Sequence, residues 1–136
     1  MTVRRAVGTD IDALLGLWGV ARTAHAITED SPAAVEQVLA RSAVFVADGD
    51  DGLAGAVIAG WDGWRGNLYR LAVLPTERRR GIALRLVAEA EHRLTAKGAV
   101  RISALVMSEH DPAVALWRAA GYIHDPRVGR YVRSLG

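Results

Sequence analysis

Apolar positions along this 136-residue chain change period several times, and each change marks an element. Thr2 to Ala6 reads as a short first strand. Thr9-x-x-Asp12 resembles a capping box ahead of Ile11, Leu14, Leu15 and Trp18, which share one face of a helix ending near Ala21. Arg22 to Asp30 has no period and reads as a loop. Ser31-Pro32 places an N-cap residue before a proline in the first helical position, and Val35, Val38 and Leu39 supply the apolar face of a second helix. Ala43–Ala47 and Leu53–Ala59 are apolar runs of strand length separated by the turn Asp48-Gly49-Asp50-Asp51-Gly52, which predicts a hairpin. A fourth strand spans Asn67 to Leu74, after the glycine-rich loop Gly60–Gly66. From Gly81 to Gly98 the period is helical, with Ile82, Leu86, Val87, Ala90 and Leu94 on one stripe and Gly98 as the stop. Val100–Val106 is a fifth strand, Asp111-Pro112 opens a helix running to about Ala120, and Tyr122–Asp125 with Val128–Ser134 read as two final strands.

That order predicts an α/β (α+β) fold, a mixed and mostly antiparallel central sheet of 6–7 strands flanked by about four helices. With no linker and no repeat, residues 1–136 read as one domain. Apolar residues are 51% of the chain, which argues against disorder. There are no cysteines, so disulfides, thiolate metal sites and a cysteine nucleophile are excluded. Met1-Thr2-Val3-Arg4-Arg5 has no apolar signal core, and no apolar run approaches the ~20 residues of a membrane span. The expected setting is the cytoplasm. Net charge is +2, too balanced to predict nucleic-acid binding, and sixteen of the seventeen basic residues are Arg, with Lys97 the exception.

The chemistry concentrates in Leu71-Ala72-Val73-Leu74-Pro75-Thr76-Glu77-Arg78-Arg79-Arg80-Gly81-Ile82-Ala83. A strand stops at Pro75 and a helix starts near Gly81, with three arginines between. A helix N-terminus carries about half a positive charge, so cations belong there only if an anion sits among them. Gly81, without a Cβ, lets the backbone approach that anion. The competing reading is a solvated basic turn.

Val73-x-Pro75-x-x-Arg78-x-x-Gly81-x-Ala83 resembles the Arg/Gln-x-x-Gly-x-Gly/Ala signature of the GCN5-related N-acetyltransferases, the GNAT superfamily. The order of elements is similar too, so the resemblance covers nearly the whole chain. The run Val44–Ala83 further resembles the bacterial YpeA-like acetyltransferase group within that superfamily. The resemblance implies an acetyl-CoA-dependent N-acetyltransferase with no metal. Arg78, Arg79, Arg80, Gly81, Ile82, Ala83 and Leu84 would hold the pyrophosphate of acetyl-CoA. The fourth and fifth strands would splay near Leu71, Ala72 and Val73, whose backbone would carry the pantetheine and polarise the thioester.

Ala113-x-x-Leu116-Trp117-x-x-x-Gly121-Tyr122 resembles a second signature of the superfamily, with two departures. His110 stands where the family has Asn, and Trp117 stands where a Tyr serves the departing sulfur. An indole N–H donates a hydrogen bond but yields no proton near neutral pH, so Trp117 is no general acid; it packs, or borders the thioester. Some relatives carry a Glu as general base on the fourth strand, fourteen residues before the turn glycine; here Asn67, which cannot act as a base, holds that place. Asp62, Glu109, His110 and Tyr69 are the remaining candidates for proton transfer. His110 has the best intrinsic pKa for a base, against which stands a helix-start role in place of Asn. His25 is a further candidate, in the region where relatives shape the acceptor site.

Trp61-Asp62-Gly63-Trp64-Arg65-Gly66 presents two indoles, with Asp62 and Arg65 spaced to pair. Exposed indoles hold amine or aromatic ligands, worth ~0.5–2 kcal/mol by cation–π contact, or else cover a sheet edge. The leading expectation is acetyl transfer to a primary amine of a small molecule by direct attack. A protein acetyltransferase acting on lysine or an N-terminus, and a CoA-binding scaffold without turnover, are the alternatives. The sequence leaves monomer and homodimer both open.

Overall fold

In a computed structural model, residues 2–21, 30–106 and 111–135 are described. Short strand β1 (Val3–Arg5) leads through a 3-10 turn at Gly8–Asp10 into helix α1 (Ile11–Ala21). The turn is fixed from two sides. The Asp10 carboxylate accepts from the Val7 N–H at 2.8 Å, and Arg4 donates to both Asp10 oxygens at 2.9 Å. The cap therefore sits at Val7, two residues before Thr9, because the capping carboxylate is Asp10, not Asp12. Helix α2 (Pro32–Arg41) starts as its sequence dictates, with Ser31 Oγ accepting from Ala34 N–H at 3.1 Å.

Strands β2 (Ala43–Gly49), β3 (Gly52–Trp61) and β4 (Gly66–Val73) form an antiparallel meander, with β1 antiparallel to β2. Helix α3 (Ile82–Lys97) then crosses over and β5 (Ile102–Ala104) joins β4 in parallel. A parallel neighbour requires such a crossover, since a tight turn cannot reverse the chain twice. The sheet order is β1-β2-β3-β4-β5. One face packs on α1 and α2 through Leu14, Leu17, Trp18, Val35, Val44, Val46, Ile58 and Ala72. Helix α3 covers the other face with its stripe of Ile82, Leu86, Val87, Ala90 and Leu94, all buried. Among the described residues no helix is long and apolar enough to cross a membrane.

The chain divides into two compact units, residues 1–106 and residues 107–136. The second contains α4 (Asp111–Ala119) followed by turns. Inside it, Trp117 is buried and meets Tyr122 edge to face, centroids 5.0 Å apart.

The described sheet has five strands, not six or seven. Tyr122–Asp125 and Val128–Ser134 form no strand. Their Ile, Val and Tyr residues favour a strand, but a strand exists only against a partner edge, and the second unit has none of its own. Locally the chain turns instead: Asp125 Oδ1 accepts from the Arg127 N–H at 3.1 Å and pairs with its guanidinium. Ile123, Val128, Tyr131, Val132 and Leu135 are left exposed.

Candidate active site

Strand β4 carries the main irregularity of the sheet. Its ladder to β5 ends at Leu68, opposite Ala104, with one further bond from Leu105 N–H to Leu68 O. On its other side Ile58 pairs with Tyr69 but Ala56 pairs with Ala72, so Arg70 and Leu71 together oppose Val57. That is a β-bulge, and Arg70 adopts a left-handed φ of 56° within it. The bulge is held from α1. The Trp18 indole N–H donates to the Arg70 carbonyl at 3.0 Å, and the Arg70 guanidinium lies 6.0 Å from the Trp18 ring. Asp30 accepts from Arg70 at 2.7 Å, with both side chains largely buried. Parting from β5 and bulging coincide, so β4 between Tyr69 and Val73 is a strand whose β5 side has lost its ladder.

Sequence reasoning located the parting at Leu71–Val73; the ladder already ends at Leu68. It missed Trp18, Asp30 and Arg70. Trp18 was read as core, and the signal against that reading is chemical: a buried indole N–H requires an acceptor.

Leu71, Ala72 and Val73 lead directly into the basic turn. Pro75–Glu77 form one turn of 3-10 helix, after which Arg79 takes a φ of 68° and Gly81 a φ of 74°. Left-handed residues cost a non-glycine side chain about 1 kcal/mol or more, and such costs persist where the surroundings impose them. Two left-handed residues two positions apart tighten the turn directly ahead of α3. Gly81 is the N-cap of α3 and offers no side-chain cap. The first amide bonded back into the helix is Arg85 N–H, to Gly81 O at 3.1 Å. A Cβ on Gly81 would meet no protein atom within 4 Å, so the space above it is open.

The three arginines divide their work. Arg78 Nε donates to Val73 O at 3.3 Å, tying the turn to the end of β4. Arg80 pairs with Glu77 at 3.0 Å. Arg79 is exposed and makes no ion pair among the described residues. No acidic residue occupies the first turn of α3. A helix N-terminus without a side-chain cap and an exposed guanidinium without an ion pair are groups that can receive phosphate oxygens.

The other candidates are placed as follows. Tyr69 follows Leu68 at the parting, on the α1 face, its ring over Gly60. Asp62 lies in the β3–β4 loop, roughly 20–25 Å of strand from the basic turn. Its Oδ1 accepts from the Trp64 and Arg65 N–H groups at 2.8 and 2.5 Å, and its Oδ2 pairs with Arg65 Nε at 3.1 Å. The Arg65 amide first, then the Trp64 amide, hold its pKa below the usual carboxylate range. Asp62 is thus the clasp of its loop, leaving Trp64 exposed with the Arg65 guanidinium 5.5 Å from its ring. Trp117 lies in the second unit, buried against Tyr122. Glu109, His110 and His25 lie outside the described residues.

The model of the acetyltransferase (GNAT) family matches residues 15–122. The acetyltransferase ECA0875 of Pectobacterium atrosepticum is 35% identical over 78 residues, covering 57% of this chain and 55% of that protein, so the match spans about half the relative's length. Among solved structures, the aminoglycoside N-acetyltransferase AAC(6')-Iy in complex with CoA superposes with a TM-score of 0.81 at 24% identity, over 98% of this chain and 95% of that one. An aminoglycoside acetyltransferase, meta-AAC0020, from an uncultured soil metagenomic sample and in complex with sisomicin, gives a TM-score of 0.81 at 18% identity, over 99% and 96%.

Proposed function

The chain belongs to the acetyltransferase (GNAT) family, and from that premise we propose that it transfers the acetyl group of acetyl-CoA to a primary amine of a small molecule. The observation that carries this reading is the turn Arg78–Leu84, where Arg79 and Gly81 are both left-handed and α3 begins without a cap. Strain of that kind is retained where a ligand exploits it. The turn's N–H groups would bind the pyrophosphate. Beyond the end of the β4–β5 ladder, backbone groups of Leu71, Ala72 and Val73 would lie along the pantetheine arm.

In the transfer a neutral amine forms the C–N bond to the acetyl carbon, the C–S bond breaks, and the thiolate of CoA leaves. One proton leaves the amine and one reaches the sulfur. A thiol pKa of about 8.5 makes the thiolate a tolerable leaving group, so a missing general acid forfeits only part of ~10²–10⁴-fold. That suits a chain with Trp117 in place of the usual Tyr. Tyr69, directly after the last laddered residue, is the described side chain best placed to exchange a proton at the parting. Asp62 is committed to its own loop, so proton removal from the amine would fall to His110, Glu109 or water.

A small-molecule acceptor is favoured by the structural neighbours, two of which are aminoglycoside acetyltransferases. The CoA-binding scaffold reading is favoured by one feature, the burial of Trp117 at the Tyr position. Calorimetric titration with acetyl-CoA, followed by thioester consumption with a panel of primary amines, separates them. Saturable binding with turnover supports the enzyme, binding without turnover on any amine supports the scaffold, and no binding by folded protein overturns both.

A further inference from the structure

At the opposite end of α3 from the basic turn lies a second concentration of positive charge. A cavity of about 180 Å³ is lined by Arg5 at the end of β1, Arg41 in the last turn of α2, Arg93 and Lys97 of α3, and Trp61 at the end of β3. It exists because the sheet is small there: Ala59, 2% exposed, fills little of the space between β3 and the helix. Arg93, the first residue of α3 to line it, is twelve residues after Gly81, so about 18 Å of helix separates this cavity from the basic turn.

Helix-end electrostatics account for Arg41 and Lys97, since cations are favourable in a last turn. They do not account for Arg5, which is on a strand, or for Arg93, which lies a full turn inside α3. Arg41 Nε donates to Gln37 at 3.1 Å, a neutral partner. Among the described residues, Arg5, Arg93 and Lys97 make no ion pair, and no acidic side chain lines the cavity. Four like charges around one concavity repel each other, and concave walls focus their field. The arrangement is offset when a multiply charged anion enters.

We infer that this cavity is a second anion site, distinct from the basic turn, which binds a phosphate group. Guanidiniums present paired donors that match phosphate oxygens, and three of the four cations are Arg. The phosphate is either free or carried on a nucleotide, whose base would have the Trp61 indole to stack against. The site does not depend on acetyl-CoA binding, and its distance from the turn makes it suited to an effector more than to the acetyl donor.

The test is calorimetric titration of the protein with adenosine 5′-monophosphate and, separately, with inorganic phosphate, at low ionic strength. Saturable binding is expected, with at least tenfold weaker affinity in Arg93→Ala/Lys97→Ala at an unchanged melting temperature. Both replaced side chains lie outside the core, so the fold survives. Tighter binding of the nucleotide than of phosphate assigns the site to a nucleotide; equal binding assigns it to free phosphate. No saturable heat with either probe, or unchanged affinity in the double variant, overturns the inference.

Discussion

The indole N–H of Trp18 donates to the main-chain carbonyl of Arg70 at 3.0 Å, joining the first helix to the bulge where β4 leaves β5. A helix residue thereby sets the conformation of the strand that would carry the thioester. Trp18→Phe retains most of the apolar contact and removes the donor, leaving a part-buried carbonyl without this partner. The expected cost is about 1–2 kcal/mol of stability. Because the bulge relaxes, turnover should fall more than stability alone explains. Denaturant unfolding beside steady-state kinetics checks this, and wild-type values in both would show that the bulge stands without Trp18.

Arg79 and Gly81 answer the same question from opposite directions. Gly81→Val introduces a β-branched side chain at a φ of 74°, where no atom of the protein obstructs it but the backbone does. Acetyl-CoA affinity should drop tenfold or more in a protein that still folds. Arg79→Gly suits a φ of 68° better than Arg does, so melting temperature should hold or rise while affinity falls through loss of the cation. Isothermal titration of both variants would expose the error if either bound acetyl-CoA as wild type does.

Gly60 makes room for Tyr69. A Cβ there would come within 3.0 Å of both Cε1 and the hydroxyl oxygen of the tyrosine. Gly60→Ala should therefore displace the phenol and lower kcat, with KM for acetyl-CoA little changed, since the turn lies at the far end of β4. An unaltered kcat would remove Tyr69 from the reaction.

The Arg4–Asp10 pair gives the fold an acid limit. Hydrogen bonding from Arg4 holds the buried Asp10 carboxyl below its usual range. A depressed folded-state pKa stabilises above the unfolded value, about 3.9, and that contribution is lost as pH falls through the lower folded value. Asp10→Asn should cost roughly 1–3 kcal/mol at neutral pH and flatten the stability curve below about pH 4. Melting curves between pH 2 and 7 decide it; equal acid slopes in both proteins would contradict it.

Much of this was legible in the residues because the deciding interactions are local. The stripe from Ile82 to Leu94, the Ser31-Pro32 start and the glycine at 81 each act within a few positions of themselves. The bulge was not legible. Arg70 has no turn chemistry of its own, and its conformation depends on Trp18, 52 residues away in sequence. The Asp62–Arg65 pair was legible from its spacing of three, but the two backbone N–H groups that also hold the carboxylate were not. The last two strands fail for the converse reason: Ile123, Val128, Tyr131 and Val132 supply β-forming side chains, but side chains supply no partner edge.

The ladder between β4 and β5 is three residue pairs long. So short a seam opens without global unfolding, and amide exchange at Ile102 and Ser103 would occur well below the energy needed to melt the meander. If the proposed donor spans the parting beside it, its binding would act as a clasp on the seam. Exchange at those two amides would then slow with donor concentration while the β2–β3 amides stayed the same, so loading could be followed from the rim of the sheet instead of from the product.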